Sequence, residues 1–347
     1  MLKTGKLPNE LLQDIVLRHI RPRRQEVIVR PGVGEDCAVI DFGDAECVLS
    51  MDPITASATG AGALAVHVSC NDIASNGVAP LGIMLTLLLP EGTAAAEVEN
   101  IMREAAEAAA ALDVEIIGGH TEITPAVNTA VIVSTAVGKS VKKNGPRSRK
   151  PMPGDVILLT KRVGLEGTGI IAGDREAELS EILTASELAE AKGMLAEASV
   201  VKEGVIAGAI GFAAMHDVTE GGVLGALWEV CNLAGLGAVV HEDNIPVAEI
   251  TKRICDYFQL DVLRLISSGA MLIVAETGNA EDILAALSQA GVEASRIGEL
   301  RGRNEGVVLV KRDGARMPVE APGSDELYKL ISSQGARRGC LPEMGKC

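Results

Sequence analysis

At 347 residues the chain suits two domains, and its 47% apolar content supplies large cores that must be aliphatic, since aromatics are 2%. A formal net charge of −15 excludes a nucleic-acid-binding surface and means that any phosphate ligand has to be bridged by a cation or by backbone N–H groups. No apolar run approaches the ~20 residues of a bilayer span, the seven cysteines contain no C-x-x-C pair, and MLKTGKLPNELLQ lacks a signal-peptide core; the expected setting is the reducing cytoplasm, with no membrane and no nucleic acid as partner.

In chain order, Pro8–Ile20 places Leu11, Leu12, Ile15, Val16 and Ile20 on one helical face. Cys47–Met51 reads as a strand stopped by Asp52-Pro53. A small-residue helix is expected from Gly62 to Ala74, closed by Asn76-Gly77. The strand Ile83–Leu89, the helix 94–112 and the strands Val114–Ile117 and Ala130–Val137 complete a first half. The basic, Pro- and Gly-bearing stretch 140–155 is the best linker in the chain. Beyond it strands are expected at Val156–Thr160, Val239–His241, Ala270–Ala275 and Val307–Val310. Helices are expected near 181–198, 222–234, 247–258, 279–290 and 325–332. The fold class is therefore mixed α/β in two consecutive domains.

No G-x-x-x-x-G-K-[ST] loop is present, and the loose G-x-G-x-x-A at Gly60–Ala65 reads better as a tightly packed helix start than as a dinucleotide fingerprint. What stands out is a set of acids where strands end or turns begin. Asp36 follows Gly32-Val33-Gly34-Glu35, Asp52 follows an apolar strand, and Asn71-Asp72 sits inside a small apolar helix. Glu122 follows Gly118-Gly119-His120-Thr121, and Asp217 opens Asp217-Val218-Thr219-Glu220-Gly221-Gly222. Singly, Asp36, Asp52 and Asp217 can be turn, strand-end or cap residues. Together they suit Mg²⁺, which takes carboxylate oxygens and substrate phosphates and so resolves the charge problem. The Gly221-Gly222 turn at a helix N-terminus adds N–H donors for an anion.

In this order the five motifs resemble the AIR synthase-related (PurM-like) superfamily, which includes thiamine-monophosphate kinase and selenophosphate synthetase; within it the chain looks most like the HypE-like hydrogenase maturation proteins. The resemblance covers roughly residues 5–315. It implies a two-domain PurM-like fold, mixed α/β (α+β): an ATP-binding domain at 1–140 that forms a homodimer through its sheet, a linker at 141–153, a layered α/β domain at 154–333 and a flexible tail at 334–347. Carried over residue by residue, it implies Asp36, Asp52, Asp72 and Asp217 as Mg²⁺ and phosphate ligands, with Asp36, Asp72 and Asp217 catalytic. Asn71, Gly118, Gly119, His120, Thr121, Glu122, Thr219, Gly221 and Gly222 are implied around the ATP. The HypE-like branch further implies that the terminal Cys347 takes a carbamoyl group from a transferring partner and that ATP then drives its dehydration to a thiocyanate.

The sequence departs from that branch in places. The tail reads Glu343-Met344-Gly345-Lys346-Cys347 instead of ending Pro-Arg-Ile-Cys, Thr4-Gly5-Lys6-Leu7-Pro8 stands where a glycine-rich loop is usual, and Gly119-His120-Thr121 replaces Gly-Asp-Thr. The role of His120 stays open between an outer metal contact, a phosphate donor and turn packing. Two other readings share the motifs: a small-molecule kinase or ligase in which Cys347 is unused, and a nucleotide-binding subunit without turnover.

Overall fold

The computed structural model describes residues 7–55, 60–141 and 149–330. Cys347, the tail from 334 and most of the expected linker lie outside the described residues.

The N-terminal domain starts with an irregular helical segment over residues 9–19, whose Ile15 and Val16 stay exposed. Strands β1 (Val27–Val29), β2 (Ala38–Asp41) and β3 (Ala45–Ile54) follow, then helix α1 (Ala61–Ser75), β4 (Pro80–Leu89), α2 (Ala95–Ala111), β5 (Glu115–Ile123) and β6 (Val131–Val141). They form one six-stranded sheet in the order β1-β2-β3-β6-β4-β5. All neighbours run antiparallel except β4 and β5, which α2 joins as a parallel crossover. Val48, Ser50, Asp52 and Ile54 alternate onto the face covered by α1 and α2. The small residues of α1 let it lie close to α2: a Cβ on Gly62 would strike the carbonyl of Ile101.

Two strand ends differ from the sequence reading. β3 runs through Asp52-Pro53 because β2 pairs only as far as Leu49, so at Pro53 the strand has β6 alone as neighbour and the missing N–H is not needed on the outer side. β5 likewise runs on through Gly118 and Gly119 to Ile123, where no side chain would fit over the carbonyl of Leu85.

The C-terminal domain contains β7 (Val156–Thr160), α3 (Leu165–Asp174), α4 (Ala185–Gly193), α5 (Val201–Ile210), β8 (Ala214–Asp217), α6 (Gly222–Ala234), β9 (Gly237–His241), α7 (Glu249–Phe258), β10 (Met271–Ala275), α8 (Thr277–Gln289), β11 (Ala294–Arg301), β12 (Val307–Val310) and β13 (Arg316–Pro318). The strands form a seven-stranded sheet in the order β13-β12-β9-β11-β7-β10-β8. One face packs on α6 through Val223, Leu224 and Leu227, the other on α5 and α8 through Ala207, Ile283 and Leu287.

The domains meet where α1 lies on α5. A Cβ on Gly204 would collide with the carbonyl of Ala74, so only glycine lets the helices approach this far. The buried Asn71 amide accepts from Val200 N–H and donates to the Ala198 carbonyl, each at 2.8 Å. Asp217 N–H donates to Ser75 Oγ at 3.1 Å.

Candidate functional site

This seam gathers the predicted acids. Asp52 lies on β3, Asp72 on α1, Asp36 on the loop before β2 and Asp217 at the end of β8. Ser50 and Asp52, two apart on one strand face, both point at α1; Ser50 Oγ lies 3.3 Å from Asp52 Oδ2 and closer still to Asp72 Oδ2, bridging the two carboxyl groups with its one proton. Burial pushes the Asp72 carboxyl well above the usual range, and the carboxylates of Asp217, Asp52 and Asp36 push it further. The neighbouring Cys37 thiol is raised by its burial and then by Asp72, Asp36, Asp217 and Asp52, so four carboxylates from both domains surround one region.

His216, beside Asp217 on β8, was not among the predicted residues. Its Nδ1 donates to the Asp217 carbonyl at 2.6 Å, while Nε2 lies 3.3 Å from Glu229 Oε2 on α6 and 3.6 Å from Asp36 Oδ2. Burial alone would lower this histidine; the carboxylates of Asp36, Glu229 and Asp217 outweigh it and raise it to about 10. One ligand atom each from Asp36, His216 and Asp217 falls within 4.8 Å of the others. The donors that converge are chiefly carboxylate oxygens, a set that fits Mg²⁺ with its remaining positions filled by water and phosphate.

The other predicted residues separate into two groups. Gly118 to Glu122 lie on β5, the sheet edge. Asp52 pairs with Ser134, Ser134 with Leu85 and Leu85 with Gly119, which puts Gly119 three strand spacings, or ~14 Å, from Asp52. Thr121 alternates onto the Asp52 side, whereas exposed His120 and Glu122, 3.4 Å apart, alternate onto the open face. The structure therefore does not bring His120 or Glu122 to the carboxylates of the same chain. The N–H groups of the Gly221-Gly222 turn, expected to face an anion, have partners within the chain. Gly221 N–H donates to Asp325 Oδ2 at 2.7 Å and Gly222 N–H to the Thr219 carbonyl. The glycines are needed there for their backbone, with φ of +86° and +61°.

Sequence reasoning also missed Ser50 and Glu166. Glu166 lies in the glycine-rich Leu165-Glu166-Gly167-Thr168-Gly169 start of α3, which gives no carboxylate signal of its own. It is 4% exposed, accepts from Ser268 N–H, and lines a cavity of about 70 Å³ together with Pro53, Thr55, Glu220, Asp325 and Tyr328. Burial raises its carboxyl from 4.5 to about 7. A raised folded value favours the protonated fold, so this contribution is present below about pH 4.5 and is lost as the pH rises towards 7. Glu166→Gln is expected to flatten that part of the decline in melting temperature with pH, read by calorimetry; a slope unchanged from wild type would contradict it.

Two family descriptions match this chain: AIR synthase related protein, N-terminal domain, over residues 34–140, and AIR synthase related protein, C-terminal domain, over residues 152–311. A Methanocaldococcus jannaschii protein named for hydrogenase expression and formation is 29% identical over 94% of this chain and 97% of its own length. A carbamoyl dehydratase HypE of Rhodobacter capsulatus is 26% identical over 90% of this chain and 92% of its own length. Among solved structures, hydrogenase maturation protein HypE in complex with ATP superposes with a TM-score of 0.70 at 23% identity, covering 93% of this chain and 97% of that one. Among the described residues no helix is long and apolar enough to cross a membrane.

Proposed function

The chain belongs to the AIR synthase related family, and from that premise we propose that it is an ATP- and Mg²⁺-dependent, HypE-like maturation enzyme that activates a carbamoyl oxygen by phosphorylation and then dehydrates it, with Cys347 as the carrier thiol. The observation that carries the reading is the convergence of Asp36, Asp52, Asp72 and Asp217 at the domain seam. In a chain of net charge −15, that much negative charge at one buried seam makes physical sense around a cation. These four residues would hold the Mg²⁺, which supplies charge neutralisation for the triphosphate and for the transferred phosphoryl group. Ser50 fixes the spacing of Asp52 and Asp72, and Asp217 brings the C-terminal domain onto the same site. The ATP-bound and carbamoyl dehydratase relatives support the nucleotide and the substrate class.

The test is intact-mass measurement of the full chain with carbamoyl phosphate, ATP, Mg²⁺ and a carbamoyl-transferring partner. Cys347 is expected to gain a carbamoyl group and then to lose one water in an ATP-dependent step. A Cys347 that stays unmodified while a small substrate is phosphorylated overturns the reading in favour of a kinase.

We further propose a homodimer through the open face of the first sheet. Met51, Thr135 and Met84 share one row there, flanked by Val131, Val133 and Leu88, and Met51 is 65% exposed. Met84→Glu is expected to convert a dimeric mass to a monomeric one in size-exclusion chromatography with light scattering. A variant that stays dimeric would place the interface elsewhere.

A further inference from the structure

Resting on that reading of the carboxylate site, we propose that His216 is its positioning residue: fixed in the C-terminal domain and backed by Glu229, the ring reaches across the seam and holds the Asp36 carboxylate of the N-terminal domain on the site. Asp36 needs such a partner. It sits on the loop at 32–36, where Gly34 takes φ +81°, and its side chain is 29% exposed. Its ion pair with His216 is the only one it makes among the described residues. Among the described residues of its own domain no ion-pair partner keeps it beside Asp217, a second acid.

The ring, by contrast, is buried. It is 4% exposed on β8, where His216 pairs with Leu272 and Asp217 with Met271 of β10. Its neighbours are the Asp217 carbonyl at Nδ1 and the carboxylates of Glu229 and Asp36 at Nε2. Each is an acceptor: Nδ1 donates to the Asp217 carbonyl at 2.6 Å, which sets the orientation of the ring, and Nε2 is left facing the two carboxylates at ion-pair distance. The order Glu229, His216, Asp36 runs from side chains that are 13% and 6% exposed to one that is 29% exposed. The anchored end therefore belongs to α6 and β8 and the directed end to the loop. The loop is packed for this, since a Cβ on Gly34 would lie in contact with the Glu229 backbone oxygen and with Leu233. Residues that orient a metal ligand from behind typically cost 10- to 100-fold in metal affinity when replaced.

The experiment is titration calorimetry of a non-hydrolysable ATP analogue into the full-length protein at a series of Mg²⁺ concentrations. His216→Gln is expected to raise the Mg²⁺ needed for half-maximal binding by about tenfold. His216→Arg, which offers several donors to two carboxylates, is expected to recover most of that loss. A ring needed for packing alone would be replaced better by Gln than by the larger Arg, and would change the melting temperature without changing the Mg²⁺ requirement. Should His216→Gln fail to fold, Glu229→Gln leaves the ring in place and is expected to shift the Mg²⁺ requirement in the same direction by less. The inference is overturned by Gln variants that bind as wild type does, or by an Arg variant no better than Gln. A wild-type protein that binds no analogue at any Mg²⁺ concentration overturns the site reading itself, an outcome seen before any variant is made.

Discussion

Asp72→Asn is expected to raise the melting temperature of the ligand-free protein by about 2–5 °C while lowering Mg²⁺-dependent turnover on the order of 100-fold or more. The two effects have one cause. Asp72 is buried on α1 beside Ser50 and faces Asp52, Asp36 and Asp217. Without a cation the fold favours the neutral acid, so its folded value is raised and the stability it contributes is lost as the pH rises through that value. Asparagine keeps the shape and a hydrogen bond for Ser50 but can never charge, so the stability gain should grow with pH. The same neutrality removes a cation ligand. Differential scanning fluorimetry separates the two effects. Wild type should gain melting temperature from Mg²⁺ and an ATP analogue together, since a ligand that binds only the folded state stabilises it. Asp72→Asn should start higher and gain little. A variant that melts below wild type, or that keeps the full ligand-induced gain, would show that Asp72 is an ordinary structural acid.

How far the sequence led is clear from individual residues. Asp36, Asp52 and Asp217 stood out because they lie where strands end or turns begin and Asp72 because it sits inside a small apolar helix, and α6 and β12 fall where the periodicity puts them, at 222–234 and 307–310. α3 and α5 were not legible. Their sequences, LEGTGIIAGD and VKEGVIAGAI, carry glycines that lower helix propensity. The glycines are there for tertiary reasons: side chains at Gly167 and Gly169 would clash with Leu265 and Leu195, and at Gly204 and Gly208 with the backbone of Ala74 and Gly77. Close approach, within the C-terminal domain for α3 and at the seam for α5, overrides local preference.

The motif at Gly118–Glu122 shows the opposite failure. Its residues were legible but its place was not, because strand order is set by the α2 crossover and by β6 inserting between β3 and β4. Once β5 is the edge strand, period-two alternation sends His120 and Glu122 to the open face, the face proposed to meet a second copy. His216 and Glu229 were missed for a further reason. They lie 13 positions apart on different elements, β8 and α6, and only the fold makes them neighbours.

Asn71, one position before Asp72, should show the reverse signs on stability. Asn71→Leu is expected to lower unfolding free energy by about 3–4 kcal/mol, because Val200 N–H and the Ala198 carbonyl are then both buried without a partner. Against a typical total of about 5–15 kcal/mol that is a large fraction. Asn71→Asp is no remedy, since a carboxylate accepts from Val200 but has no proton for Ala198 and adds a further acid to the site. The amide also fixes how α1 meets the segment leading into α5, so the change should let Asp72 drift relative to Asp217 and weaken Mg²⁺-dependent analogue binding as well. Urea denaturation followed by calorimetry on the folded fraction measures both effects. Stability within about 1 kcal/mol of wild type would mean that glycine packing alone holds the seam. If both variants behave as expected, adjacent positions of one helix lose cation binding by different routes, Asp72→Asn by removing a ligand from a fold it stabilises, Asn71→Leu by loosening the joint that brings the ligands together.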